Sequence, residues 1–105
     1  MILREWRGRV PREKVDAYLG VLEQTGLKEY AATPGHRGTW VLVDHDCDGD
    51  GRTAEFVLLT LWPSREAIAA FAGEDIGRAV YYPEDDGFLL EKPERLRHYD
   101  VLRRP

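Results

Sequence analysis

Hydrophobic and polar residues alternate along residues 2–10, which is the period of a strand with one buried face. Ile2, Trp6 and Val10 fall on the apolar side of this segment. The charged residues of the opposite side are Glu5, Arg7 and Arg9. The pattern therefore predicts a first strand that packs one face on a core and turns the other toward water.

Two later segments have the spacing of amphipathic helices. The first is predicted to begin near Pro11, which suits an opening helical turn, and to end near Gly26. Its apolar stripe comprises Val15, Tyr18, Leu19 and Leu22. The second follows Ser64, a favourable N-cap residue, and is predicted to end at Gly73. Its stripe comprises Ala67, Ile68, Phe71 and Ala72.

Three more strands complete the predicted order. Residues 39–45 and 55–62 are rich in β-branched and aromatic residues and flank the turn-forming residues 48–51, so they predict an antiparallel hairpin. Residues 94–102 alternate again and predict the last strand. We expect a loop at residues 27–38, a short helix at residues 75–80, and a turn or short helix at residues 84–93.

The resulting element order, β-α-β-β-α-β, is typical of a ferredoxin-like α+β fold. In that fold, helices cover one face of a four-stranded antiparallel sheet. A chain of 105 residues is the size of one domain, so we expect a single domain over residues 1–105.

The two strands of the predicted hairpin are apolar on both sides. In residues 55–62, Phe56 and Leu58 alternate with Val57 and Leu59, and residues 39–45 behave likewise. A sheet with one wet face would alternate apolar with polar residues instead. Because the helices cover only one face, we expect a second copy of the chain to cover the other, which predicts a homodimer.

Composition and charge limit the classes of partner. The net charge is −4, and a phosphate-binding surface needs a basic excess, so we expect no nucleic-acid partner. We interpret Arg4, Arg7 and Arg9 as a solvated group on the first strand. A single cysteine, Cys47, fits a reducing compartment, and no apolar run is long enough to cross a membrane. We therefore expect a cytoplasmic protein with no membrane partner.

Residues 61–68, Leu-Trp-Pro-Ser-Arg-Glu-Ala-Ile, resemble the strand–Trp–x–Ser–x–Glu–Ala junction of antibiotic-biosynthesis-monooxygenase-like proteins. Residues 71–85 are similar to an uncharacterised bacterial branch of the same group. The resemblance implies a dimeric α+β barrel built from two ferredoxin-like domains. It implies a pocket but no particular reaction, because the group includes cofactor-independent oxygenases, haem-degrading oxygenases and isomerases.

The haem-degrading members of that group use an Asn on the first strand, with a Trp and a His on the helical segment. The matching places here hold Trp6, Phe71 and Tyr81. A phenolate of Tyr81 as an iron ligand is the remaining alternative. Because none of the three family residues is present, we expect no cofactor.

Polar-tipped aromatic residues are the candidates for a ligand pocket between the sheet and the helices, because their tips require partners. The predicted substrate-binding residues are Trp6, Arg37, Trp62, Phe71, Tyr82 and Asp85. The predicted catalytic residues are His98 and Tyr81, because an imidazole or a phenolate can act as a base. We hypothesise a cofactor-independent monooxygenase acting on aromatic or phenolic substrates. The alternative is a homodimeric binding or accessory domain without catalysis.

The hairpin tip matches the residue pattern of a calcium-binding EF-hand loop. Asp44, Asp46 and Asp48 precede a glycine, and Glu55 stands at the twelfth position. The flanking segments are predicted strands, whereas an EF-hand loop lies between helices. We therefore interpret this segment as a solvated acidic turn and expect no metal site.

Overall fold

A computed structural model describes residues 1–104 of the chain. The strands are β1 (Ile2–Pro11), β2 (Gly38–Asp44), β3 (Thr53–Trp62) and β4 (Arg97–Asp100). The helices are α1 (Val15–Gln24), α2 (Gly26–Ala32) and α3 (Arg65–Ala72), and short 3-10 turns lie at Arg12–Lys14 and Pro83–Gly87. This order confirms the predicted ferredoxin-like α+β fold, with two helices between β1 and β2. Across the part of the chain that the structure describes, no helix has the length and hydrophobicity needed to cross a bilayer.

The four strands form one antiparallel sheet in the order β2-β3-β1-β4. β1 pairs with β3 along its whole length, from Ile2 opposite Trp62 to Pro11 opposite Thr53. β4 pairs only with residues 2–5 of β1. The second half of β1 therefore has a strand beside it on one side only, among residues 1–104.

The first connection contains a helix that the sequence does not predict. Gly26 does not end the helical region, because α2 starts there after a break at Thr25. The Thr25 side chain donates to the Val21 carbonyl at 2.8 Å, and the Thr25 carbonyl accepts from the Glu29 amide at 3.1 Å. These hydrogen bonds pair the backbone groups at the break. The chain then continues as α2 within residues 27–38, where the sequence predicts a loop.

The predicted helix at residues 75–80 is wrong, and the predicted last strand at residues 94–102 is too long. Both differences have one cause, because these two segments pair with each other. The Ala79 amide donates to the Glu94 carbonyl at 2.8 Å, and the Leu96 amide donates to the Gly77 carbonyl at 2.9 Å. Only residues 97–100 remain for β4, and Arg78 forms an isolated antiparallel bridge with Arg95.

The α3 boundaries agree with the sequence pattern. The Ser64 side chain accepts a hydrogen bond from the Ala67 amide at 3.2 Å, as an N-cap does. Gly73 ends the helix with a φ of 87°, a left-handed value that favours glycine. The predicted turn at residues 84–93 contains the 3-10 turn, after which Phe88 and Leu89 pack on the core while Leu90 stays exposed.

The helix-covered face of the sheet, called the helix face below, holds the core. Even-numbered residues of β1 and β3 point to it, which confirms the predicted alternation. Its largest buried side chains include Trp6, Val10, Phe56, Leu58 and Trp62. Tyr18, Leu22 and Ile68 pack on them from α1 and α3.

The opposite side of the sheet, called the open face below, is partly apolar and uncovered in the single chain. Trp40 is 50% exposed, Leu42 is 45% exposed and Tyr99 is 41% exposed. Val57 and Leu59 lie between them on β3. The hairpin strands of the sheet are therefore apolar on both sides, as the sequence predicts.

Candidate functional site

Trp6 and Tyr81 are the predicted site residues that line an open groove of about 390 Å³. The groove lies beside the half of β1 that β4 does not pair with. The centroids of the two rings are 6.3 Å apart, and the Tyr81 hydroxyl donates to the Pro93 carbonyl. The other lining side chains are Glu5, Arg7, Ala79, Arg95, Leu96, Arg97 and Tyr99.

Most of the charge in this groove is already paired. Arg7 bonds to Glu5 at 3.2 Å and to Glu55 at 2.8 Å, and Arg95 bonds to Asp75 at 2.6 Å. Arg97 forms no ion pair with any residue from 1 to 104. The groove therefore combines aromatic surface with one exposed guanidinium that has no carboxylate partner in the described chain.

The Trp6 ring lies directly over Gly8. A Cβ atom at Gly8 would meet Trp6 Cζ3 at 2.9 Å and Leu89 Cδ2 at 3.0 Å. These separations leave no room for a methyl group. The missing side chain of Gly8 thus allows Trp6 to lie along β1 and form the groove wall.

Trp62 and Phe71 lie within the core and do not line the groove. Trp62 is 0% exposed, and its Nε1–H donates to Thr60 Oγ1 at 2.8 Å. Phe71 stacks on Trp62 with 6.4 Å between ring centroids and meets the edge of Tyr30 at 4.8 Å. Both side chains are occupied by packing on each other and on their neighbours.

Tyr82 and Asp85 adjoin a cavity of about 10 Å³, which is roughly the space of one water molecule. Asp85 is 2% exposed and accepts hydrogen bonds from the Tyr18 hydroxyl and the Tyr82 amide, both at 2.8 Å. The Tyr82 hydroxyl donates to Glu29 at 2.7 Å. Burial, then the hydrogen bond to a carboxylate, raises the pKa of both Tyr18 and Tyr82. This part of the space between sheet and helices is closed.

Arg37 is exposed and lies away from the groove. It borders a shallow depression of about 470 Å³ on the open face, with Leu3, Trp40 and Leu61. That depression shares no lining residue with the groove. The structure therefore does not bring Arg37 together with Trp6 and Tyr81.

His98 lies on β4 directly opposite Arg4 and does not line the groove. Its Nε2 atom is buried and has no hydrogen-bond partner among residues 1–104. Burial lowers the pKa of His98 to about 4, with further contributions from the positive charges of Arg4 and Arg65. The imidazole is therefore uncharged at neutral pH.

Arg4 is a buried residue that the sequence interpretation missed. It is 1% exposed, which corrects its assignment to a solvated basic group. Its guanidinium donates to the Arg78 carbonyl at 3.3 Å and lies 5.5 Å from the centre of the Phe71 ring. The available signal was its even number on a strand whose buried face includes Ile2 and Trp6.

The acidic hairpin tip folds on its own backbone. Asp44 accepts from the Asp46 amide at 3.0 Å, and Asp46 accepts from the Gly51 amide at 2.7 Å. Asp48 pairs with Arg9 at 3.0 Å. Within residues 1–104, no three His, Cys, Asp or Glu side chains lie close enough together to hold a metal ion.

Comparisons with known proteins identify the fold. No protein-family model matches the chain, and no curated protein is detectably similar in sequence. Among solved structures, a proposed antibiotic biosynthesis monooxygenase from Nitrosomonas europaea matches with a TM-score of 0.63 and 19% identity. The match covers 98% of this chain and 100% of that protein. The resemblance in residues 61–68 is therefore confirmed as a shared fold, that of the antibiotic-biosynthesis-monooxygenase-like proteins.

Proposed function

We propose that this chain, which has the antibiotic-biosynthesis-monooxygenase-like fold, is a homodimer that binds a small aromatic molecule in its groove. The observation that carries the proposal is the groove between Trp6 and Tyr81, with a volume of about 390 Å³. Small-molecule sites typically measure roughly 300–1,000 Å³ and combine apolar walls with a few polar groups. Trp6 and Tyr81 offer rings for stacking, and the charged lining suits a polar edge on the ligand.

Binding without catalysis is the form of this function that the geometry favours. A general base works best when its pKa lies near the operating pH. The pKa of His98 is lowered to about 4, and His98 is not a groove residue. Burial raises the pKa of Tyr81, so its hydroxyl stays protonated and donates to the Pro93 carbonyl. His98 is thus a weak base outside the groove, and Tyr81 keeps its proton at neutral pH.

The binding proposal is tested with 2-naphthol and two leucine variants. Leu96→Ala removes groove surface, whereas Leu90→Ala removes a leucine that is 57% exposed and outside the groove. We expect calorimetry to show binding by the wild type and by Leu90→Ala, and roughly 3- to 10-fold weaker binding by Leu96→Ala. Equal effects of the two substitutions would exclude the groove as the binding site.

Cofactor-independent oxygenation of a phenol is a second candidate, favoured by the fold shared with a proposed monooxygenase. In that chemistry the deprotonated substrate supplies the electrons to dioxygen, and the protein orients the substrate and excludes water. Oxygen uptake with a panel of hydroquinones tests this candidate, using the His98→Ala and Tyr81→Phe variants. Uptake equal to that of buffer across the panel would reject oxygenation for those substrates and leave binding alone.

The homodimer part of the proposal is supported by the exposed apolar residues of the open face. Trp40, Leu42 and Tyr99 are each at least 41% exposed and lie around Val57 and Leu59. Contiguous apolar patches on soluble proteins commonly mark interfaces. A two-fold pair of sheets would bury these residues against their own copies.

Leu42→Glu and Leu19→Glu form a matched test of the homodimer. Leu42 is on the open face, whereas Leu19 is 37% exposed on α1 and outside the proposed interface. We expect light scattering at micromolar concentration to show a dimer for the wild type and for Leu19→Glu, and a monomer for Leu42→Glu. A monomeric wild type at that concentration would refute the homodimer.

A further inference from the structure

Arg4 is a buried cation without an ion-pair partner. It is 1% exposed, and no Asp or Glu oxygen of residues 1–104 lies within ion-pair distance of it. Buried arginines are normally paired, because an uncompensated charge in the protein interior is costly. Burial accordingly lowers the pKa of Arg4. Its neutral partners, the Arg78 carbonyl and the Phe71 ring, offset only part of that cost.

Three buried nitrogen atoms near Arg4 have no hydrogen-bond partner among residues 1–104. They are Arg4 Nε, Trp6 Nε1 and His98 Nε2. Arg4 and Trp6 are two residues apart on β1, and His98 lies opposite Arg4 on β4, so all three belong to the helix face. The arginine and tryptophan nitrogens can only donate, and the imidazole donates from one of its two nitrogens. Buried polar atoms left without partners are uncommon, so these donors call for an acceptor. An anionic acceptor would bond most strongly to the positively charged guanidinium.

Of these three residues, Trp6 lines the groove, whereas Arg4 and His98 are its neighbours in the sheet and do not line the groove themselves. Trp6 is a groove wall, and the carbonyl that Arg4 binds belongs to Arg78, whose neighbour Ala79 also lines the groove. The protein groups around Arg4 include Tyr30 and Tyr82, and burial raises the pKa of both, so they remain neutral phenols. Arg65 adds a further positive charge near His98. The nearby buried carboxylate, Asp85, bonds to Tyr18 and to the Tyr82 amide and forms no ion pair with Arg4.

We infer that Arg4 is the counter-charge for an oxyanion, a carboxylate or a phenolate, carried by the aromatic ligand of the groove. The ring would stack at Trp6 and Tyr81, and its anionic oxygen would accept from Arg4 Nε and Trp6 Nε1. Arg97, exposed at the groove mouth, is the competing cation. This inference rests on the proposed function, because it names the chemical class of that ligand.

The test compares 2-naphthoate with its neutral amide, 2-naphthamide, by calorimetry. The variants are Arg4→Gln, Arg97→Gln and, as a control, Arg52→Gln in the exposed hairpin loop. We expect wild type and Arg52→Gln to bind naphthoate roughly 10- to 100-fold more tightly than naphthamide. Arg4→Gln should lose this preference, whereas Arg97→Gln should keep most of it.

The outcomes separate the two proposals. If naphthamide binds as tightly as naphthoate to the wild type, the proposed binding of an aromatic ligand in the groove is kept, and the role of Arg4 is refuted. If Arg97→Gln loses the preference and Arg4→Gln keeps it, Arg97 is the anion partner and the inference is wrong. If neither compound binds the wild type, the proposed aromatic ligand itself fails.

A measurement on the unmodified protein covers the case in which Arg4→Gln does not fold. The buried Nε–H of Arg4 is shielded from solvent, so its nuclear magnetic resonance signal is expected to be observable. Naphthoate should shift this signal because it forms a new charge-assisted hydrogen bond, and naphthamide at equal occupancy should shift it less. An Arg4 signal that naphthoate leaves unchanged at saturation would overturn the inference.

Discussion

Arg4 and Arg7 lie three residues apart on β1, and their surroundings are opposite. Arg7 points to the open face, where it bonds to Glu5 and Glu55 and keeps contact with water. Arg4 points to the helix face, where it is 1% exposed and meets a carbonyl and an aromatic ring. The same residue type is thus a solvated ion pair on one side of the strand and an uncompensated charge on the other.

The difference between these two arginines extends to the two faces of the sheet. The helix face holds the close-packed core, in which buried polar groups are either bonded at both oxygens, like Asp85, or only partly bonded, like Arg4. The open face combines exposed apolar residues with exposed ion pairs. We therefore expect stability to depend mainly on the helix face, and association to depend mainly on the open face.

The largest expected contrast is between Leu58→Ala on the helix face and Leu42→Ala on the open face. Leu58 is 2% exposed, so its truncation leaves a cavity and should cost about 2–5 kcal/mol in free energy of unfolding. Leu42 is 45% exposed, and its truncation should cost less than about 1 kcal/mol in the monomer. Denaturant titration of both variants at a protein concentration low enough to keep the chain monomeric measures the difference. Equal losses of unfolding free energy in the monomer would contradict the expectation that stability depends mainly on the helix face.

Asp85→Asn and Asp48→Asn form the next contrast. The Asp85 carboxylate accepts two hydrogen bonds in the core, and an amide would turn a donor toward one of these donors. We expect a loss of about 2–3 kcal/mol in free energy of unfolding for Asp85→Asn. Asp48 is exposed and pairs with Arg9, so its loss should stay below about 1 kcal/mol. Similar chemical denaturation midpoints for the two variants would contradict the assigned role of Asp85.

His98 should make stability depend on pH between about 6.5 and about 4. Folding lowers the pKa of His98 from 6.5 to about 4, so the unfolded chain binds the proton more readily in this window. Stability should therefore fall as the pH drops from 6.5 to 4, by about 1–2 kcal/mol after allowing for partial exposure. His98→Gln should remove this part of the pH dependence, and His45→Gln, at the exposed hairpin end, should not. An unchanged pH profile for His98→Gln would refute the effect.

Arg7→Gln should have the smallest effect of these substitutions. Its ion pairs are exposed, and exposed pairs contribute about 0–1 kcal/mol to the free energy of unfolding. The loss should shrink further at about 1 M salt, because added ions screen surface charges. Melting temperatures of wild type and Arg7→Gln at low and high salt give the measurement. A loss above about 2 kcal/mol that persists at high salt would contradict the assignment of these ion pairs as exposed.

Much of the fold was predictable because its information is local. The alternation in β1 and β3, the Ser64 cap and the Gly73 end depend on neighbouring residues, and the structure agrees with each. The failures involve pairing between distant segments. Residues 77–79 bond to residues 94–96 rather than forming a helix, and a single sequence carries no signal for that choice.

The candidate site was less predictable for the same reason. Trp6 and Tyr81 were selected by residue type, and the groove beside them exists because β4 joins the sheet only at residue 97. Asp85 was expected at a pocket mouth, but its bonds to Tyr18 and to the Tyr82 amide place it in the core. Arg4 could have been found by counting along β1, since its position matches that of Trp6. The sequence interpretation assigned Arg4 to a solvated group because it is charged, although its position on β1 indicates a buried side chain.

Gly8 limits which sequence changes are compatible with the shape of the groove. Trp6 keeps its orientation only because residue 8 has no Cβ atom. A Cβ there would collide with the indole and with Leu89. Even substitution of Gly8 by alanine would displace the Trp6 ring, although it changes no charged or hydrogen-bonding group. The shape of the groove therefore depends on a position that does not line it. Homologues that replace Gly8 would need a smaller residue at position 6, and with it a groove of another shape.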